Sequence, residues 1–244
     1  MSKHREMSGI DIADIFNTCF SQSMNTRLFC GAHEPLYIPN TESVLTHLYD
    51  LSSLGQVQEE GQNFRSVDVV DTANQPNADT QKISYQGVSK LSDMDSLYKN
   101  CHKLFSRFDY ASSALHEIAH WCIAGSERRK KIDYGYWYAP DGRDTVQQHQ
   151  FEKVEVKPQA LEAAFASACG LRFRVSVDNL SLNDDERETL VQRFSKSVEA
   201  QLEEYAKTGF PERAQIFINA LNEYVTKTSN TKLPCKYGEL APCL

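Results

Sequence analysis

The chain has 244 residues, 41% of them hydrophobic and 24% charged, with 26 Lys and Arg against 33 Asp and Glu for a formal net charge of −7. A length of this order supports one core that buries roughly 70% or more of the surface an open chain exposes, so folding requires no disulfide or second domain. The mildly acidic balance argues against a protein built to coat DNA while leaving local RNA contact open, and no apolar run approaches the ~18 to 20 residues of a bilayer span.

The first ten residues carry Lys3, His4, Arg5 and Glu6 and lack the apolar stretch of a secretory signal, so a cytoplasmic protein without direct nucleic-acid or membrane partners is expected. Seven cysteines, an odd number with no C-x-x-C pair, read as reduced thiols. Nothing in the pattern fixes an oligomeric state.

In chain order, Ile12, Ile15, Phe16 and Cys19 fall at helical spacing and predict a short amphipathic helix over 10–20. Two prolines extend Glu34 to Pro39 as an edge strand, after which Thr41 is placed to cap a helix reaching Leu51. From Gly55 to about Asn100 the chain is rich in Gln, Asn, Asp and Ser, with one brief alternation at Phe64, Val67, Val69 and Val70, and reads as a loop or small hairpin. Leu161, Ala164, Phe165 and Ala168 predict a buried helix over 160–168 that stops near Gly170, and Arg172 to Val177 alternates like a strand. Leu190, Val191, Phe194, Val198, Leu202 and Tyr205 line one side of a long helix over 184–207. A further helix is expected over 211–225, opened by its proline, and then a loosely held polar tail over 227–244.

The chemistry is concentrated in Ala111 to Gly125, a helix by spacing that contains H-E-x-x-H as His116, Glu117 and His120. Residues four apart stand on one helical face, so both imidazoles can grip a single ion with Glu117 beside it. The helix is otherwise apolar, and two buried histidines without partners would leave ring nitrogens unsatisfied at about 1–3 kcal/mol each. The competing reading is a pair of core histidines bonded to carbonyls or carboxylates.

A third ligand is available in Phe151 to Glu162. Glu155 is the first choice, because it shares a stripe with Gln159, Glu162 and Ala166; Glu152 is the alternative. Glu162 sits further into the helix and ranks last of the three as a ligand, a bond to a histidine being open to it as well. Two His and one carboxylate leave open coordination positions. Zinc would use them to activate water with Glu117 as general base, whereas iron(II) would use them for dioxygen and a co-reactant.

Between the ligand candidates, Tyr134, Tyr136, Trp137 and Tyr138 run into a Pro-Asp-Gly turn at Asp141 and then Arg143. These residues are candidates for the wall of a substrate pocket. Aromatic faces hold an aliphatic stem or a cationic head, and Asp133, Asp141 or Asp144 can pair with an ammonium. The basic run Arg128, Arg129, Lys130 and Lys131 follows a helix end, where cations are favoured, and reads as a solvated face.

Three blocks, HEIAHWCIAGSERR, DYGYWYAPDGR and FEKVEVKPQALE, in this order and spacing, resemble the elongation factor P hydroxylase family. The resemblance runs from about Ile10 to Tyr224, and residues 56–103 look like an insertion relative to shorter members. It implies a monooxygenase-type oxidoreductase that hydroxylates the β-lysylated lysine of translation elongation factor P at a mononuclear non-haem Fe(II). By motif position it makes His116 and His120 ligands, with a glutamate of the third block completing the set. It also implies an α+β fold, a single compact domain over 1–244 that is mostly helical around a small sheet, with the metal site between the HExxH helix and a following helix. The sequence has no H-x-D motif of the double-stranded barrel oxygenases. A zinc metallopeptidase is the alternative that HExxH alone would favour.

Overall fold

The structure is a computed structural model that describes residues 7–32, 34–41, 100–133, 143–179 and 182–229. Five α-helices, three β-strands and one 3₁₀ turn are defined among them. The described residues gather into two compact units, one within Ser8–Ala114 and Gly125–Gly135, the other within Met1–Met7, Leu115–Ala124 and Tyr136–Leu244.

The first unit is built on a three-stranded sheet. Helix α1 (Gly9–Phe20) opens on a capping box in which the Ser8 hydroxyl accepts from the Asp11 N–H while the Asp11 carboxylate accepts from the Ser8 N–H. Ile12, Ile15, Phe16 and Phe20 form its buried stripe. Strands β1 (Thr26–Ala32), β2 (Leu36–Ile38) and β3 (His102–Arg107) take the order β1-β3-β2, with β1 parallel and β2 antiparallel to the central β3. β2 is therefore an edge strand, in agreement with its flanking prolines. Asn17 fixes α1 to the sheet as a side-chain mimic of a strand, donating to the Leu28 carbonyl at 3.1 Å and accepting from the Leu28 N–H at 2.8 Å.

β1 and β3 do not show the alternation of a half-exposed strand. Leu28, Phe29, Cys30 and Ala32, and Lys103 to Ser106, are buried in runs, as in a sheet covered on both faces. β3 begins at His102, inside the range read as a polar insertion, so His102 and Lys103 belong to the sheet, and Cys101 and Lys103 are buried. The predicted helix after Thr41, the alternation at 64–70 and the tail beyond Ser229 lie outside the described residues.

The second unit is helical. Helix α2 (Ala111–Ile123) enters it at Leu115, followed by α3 (Thr145–Cys169), α4 (Asp184–Thr208) and α5 (Glu212–Ser229), with α4 and α5 both packed on α3. α4 follows the expected pattern, with Leu190, Phe194, Val198, Leu202 and Tyr205 buried. Pro211 stands just ahead of α5 and its carbonyl accepts from Gln215.

α3 is far longer than the predicted 160–168. Asp144 opens it with a capping box to Gln147, and Gly170 closes it at φ 71, a left-handed cap that glycine adopts without penalty. Its first half escapes a periodicity reading because it is polar and because Pro158, inside the helix, reads as a breaker.

The predicted strand over 172–177 does not form. Among the described residues that segment carries no regular secondary structure and belongs to no sheet. Its anchor is a side chain: Gln159 of α3 donates to the Ser176 carbonyl at 2.8 Å and accepts from the Ser176 N–H at 3.0 Å. Among the described residues no helix is long and apolar enough to cross a membrane.

Candidate metal centre

Helical spacing brings the first two donors together. On α2, His116 and His120 lie one turn apart, their Nε2 atoms face each other at 3.1 Å, and their rings meet edge-on with centroids 4.7 Å apart. α3 supplies the third. Glu155, with 2% of its side chain exposed, places one carboxylate oxygen 3.3 Å from His120 Nε2 and the other 3.5 Å from His116 Nε2. Among the described residues these three form the one group of metal-ligating side chains whose donor atoms lie within 4.8 Å of one another.

The spacing is that of ligands around one ion. Donors about 2.0–2.2 Å from a metal stand about 3.0 Å apart at right angles and about 3.4 Å apart in a tetrahedron. The nitrogen–nitrogen separation of 3.1 Å and the contacts of the two Glu155 oxygens with the histidines, 3.3 and 3.5 Å, lie close to that range, and one donor atom from each residue lies within 4.8 Å of the other two. Three electron-rich atoms converging without a hydrogen between each pair repel unless a cation or a proton sits among them, so the donor set fits a divalent metal.

In the metal-free protein a proton takes that role. Burial opposes a charged imidazole at His116, but the Glu162 hydrogen bond and the charges of Glu162, Glu155 and Glu117 outweigh it and push the group up to about 10. Glu162 reaches the ring from the far side, its Oε2 2.8 Å from Nδ1. Glu117, half-buried, follows His116 on the helix.

The sequence comparisons bear on this geometry directly. A family model described as elongation factor P hydroxylase matches residues 91–233, a stretch that includes His116, His120, Glu155 and Glu162. The chain is also 36% identical over 223 residues to the elongation factor P lysine hydroxylase of Haemophilus influenzae, covering 91% of this chain and 92% of that protein. The chain belongs to the elongation factor P hydroxylase family. It is thereby placed among enzymes, with a triad that could hold a metal inside the stretch the family model matches.

The other expected site residues of this family member divide into three groups. Glu152, the alternative third ligand, turns away from the triad and pairs with Arg193 of α4 at 2.6 Å. Tyr134, Tyr136, Trp137, Tyr138 and Asp141 lie outside the described residues. Arg143, a substrate-binding candidate from the sequence, is 4% exposed. Its guanidinium stacks on Phe151 at 4.2 Å, donates to the Gln148 side chain at 3.0 Å and to the Val177 carbonyl at 2.9 Å, and bonds the Asp178 carbonyl. A planar five-donor fork suits that anchoring of an irregular segment, which spacing along the chain does not reveal.

Two acids considered as ammonium partners are likewise engaged in structure. Asp133 pairs with Arg128 at 2.6 Å, and Asp144 caps α3. Arg213 and the backbone clamp at Gln159 were not signalled by any motif, since their partners are main-chain carbonyls and amides that carry no mark in the sequence.

Proposed function

We propose that the protein hydroxylates the β-lysylated lysine side chain of translation elongation factor P, using dioxygen at a mononuclear non-haem iron(II) held by His116, His120 and Glu155. The observation that carries the reading is the triad itself, two imidazole nitrogens and one carboxylate converging at 3.1–3.5 Å in a chain of this family. Three protein ligands on one side leave coordination positions for reactants, and iron in such a 2-His-1-carboxylate set supplies the dioxygen chemistry that carbon hydroxylation needs.

The protein's own residues bind and orient. Glu155, sunk in the helical unit, contributes negative charge to the donor set and holds its place because α3 is packed on two further helices. The apolar flank of α2, Leu115, Ile118 and Ala119, is buried and keeps both imidazoles on the remaining face. Glu117 is the carboxylate left for proton handling beside the reacting side chain. Tyr134, Tyr136, Trp137, Tyr138 and Asp141 are proposed, on sequence grounds, to receive the aliphatic stem and ammonium of the modified lysine. One oxygen atom of dioxygen enters the substrate C–H bond, and the other leaves as water with two electrons and two protons from an external reductant.

The test is incubation of the purified protein with β-lysylated elongation factor P, iron(II), dioxygen and a reductant. A gain of one oxygen atom in the factor's mass, abolished by His116→Ala, is expected. An unchanged mass, or equal behaviour of wild type and His116→Ala, would overturn the assignment. The peptidase alternative has no observation in its favour beyond HExxH once the family is known.

A further inference from the structure

The two imidazoles of the triad are not held alike. His116 is engaged at both ring nitrogens: Nε2 faces His120 and Glu155, and Nδ1 lies 2.8 Å from Glu162 Oε2. Among the described residues, the hydrogen-bond and ion-pair contacts of His120 are at Nε2. An ionised carboxylate accepts and cannot donate, so the hydrogen in the Glu162 contact sits on Nδ1 of His116. A neutral ring with its hydrogen there has its lone pair at Nε2, aimed at the other two donors.

We propose that Glu162 is a positioning residue that fixes the tautomer and ring orientation of His116 for the divalent ion held by the triad. The inference rests on the reading that the triad holds a metal, and it is independent of which metal or substrate that is. Glu162 follows Glu155 by seven residues, two helical turns, so both lie on one face of α3. A single rigid helix thus presents a ligand to one side of the His116 ring and a brace to the other. Glu162 is not itself placed as a ligand, because it meets the ring on the side away from the three converging donor atoms. Its side chain is 12% exposed, so the bond is shielded from competing water.

Zinc(II) is the probe, since it binds such sites more tightly than iron(II). The metal-free full chain, as wild type, Glu162→Ala and Glu162→Gln, is titrated with zinc, and nitrogen NMR of the imidazoles is recorded on the loaded proteins. Wild type is expected to show the ring hydrogen of His116 on Nδ1. Glu162→Ala is expected to lose about 10- to 100-fold in zinc affinity, with disorder at the His116 ring and little change at His120. Glu162→Gln, whose amide oxygen still accepts from Nδ1, is expected to restore the tautomer and most of the affinity.

A role in packing alone would lower stability without sorting the variants by their ability to accept that hydrogen. Zinc affinity of Glu162→Ala within twofold of wild type, or a wild-type ring hydrogen on Nε2, would overturn the proposal. Should Glu162→Ala fail to fold, Glu162→Asp decides: with a carboxylate too short to reach Nδ1, this variant must bind zinc more weakly than Glu162→Gln does, and equality with wild type refutes the brace. A wild-type chain that takes up no zinc would remove the metal reading, and this proposal with it.

Discussion

Arg213→Ala tests whether the HExxH helix is held at its C-terminal end from another element. From α5 the Arg213 guanidinium donates through Nη2 to the Cys122 carbonyl at 2.9 Å and the Ala124 carbonyl at 2.6 Å, and through Nε to Cys122 at 3.2 Å. It also lies over the Trp121 ring, 4.8 Å from the centroid. These carbonyls belong to the end of α2, where the helix offers no N–H partners and where a cation is favoured. A charged hydrogen bond contributes about 1.5–3 kcal/mol net, and two carbonyls are served. Because Arg213 is half-buried and part of that gain is the helix-end electrostatics already counted, the expected loss is roughly 2–4 kcal/mol. In a chain of this size each kcal/mol shifts the Tm by about 2–4 °C, so a drop on the order of 10 °C is expected. Urea and thermal unfolding of the metal-free protein measure it. His120 accepts from the Ala124 N–H at 3.0 Å, so loosening this end should also weaken zinc uptake. Arg213→Lys, which keeps the charge but loses the fork, should fall between the two. A loss under about 1 kcal/mol, or full replacement by lysine, would refute the reasoning.

Glu155→Ala should abolish stoichiometric zinc binding, whereas Glu152→Ala, which removes pairs to the exposed Arg193 and His149, should leave it intact and cost within about 1 kcal/mol; dialysis and metal analysis separate the two. In the metal-free chain His116 titrates at about 10 against its ordinary 6.5, so its contribution to stability is whole below pH 6.5 and is lost as pH rises through about 10. The urea midpoint of metal-free wild type relative to His116→Gln should shrink over that window, and zinc binding at neutral pH should release the proton from the triad, read in a weakly buffered titration. Gln159→Ala should free the segment at Ser176, with loss of hydrogen-exchange protection at that amide and a cost of about 1–3 kcal/mol; unchanged protection would show that the clamp is idle.

What the sequence discloses of this protein is what helical periodicity controls. His116 and His120 had to share a face at four residues' spacing, and Glu155 followed from the stripe it forms with Gln159 and Glu162. The buried faces of α1 and α4 were legible for the same reason. The sheet was harder. Its two longer strands are short runs of buried residues without alternation, and a partner distant in the chain decides whether such a run pairs: β1 finds β3, while residues 172–177, with a cleaner alternation, find the side chain of Gln159 instead. Polar residues that bond to backbone were illegible altogether. Arg143 reads as a pocket residue in the sequence because it sits beside an aromatic block, and its buried guanidinium bonds the Val177 and Asp178 carbonyls, the first of which also accepts from the Gln148 side-chain amide.

The candidate metal site depends on α3 more than on the motif that announces it. H-E-x-x-H places two nitrogens, but they become a site only when a third donor is held against them. That donor sits on a helix with a proline at 158, three residues past Glu155, where the missing N–H removes an intrahelical bond at a cost of about 3 kcal/mol in an open helix. The offset comes from packing, since Pro158 is buried together with the continuous run from Gln159 to Ala166. On that face Glu155, Gln159 and Glu162 recur at intervals of four and three residues and do three different things: the first joins the triad, the second clamps an irregular segment, the third bonds the histidine from behind. A rotation of α3 about its axis would disturb all three at once. The precision of the triad is therefore a property of the helix as a body, and substitutions in its packed half, such as Phe165→Ala against Phe217, should loosen metal binding without touching a ligand.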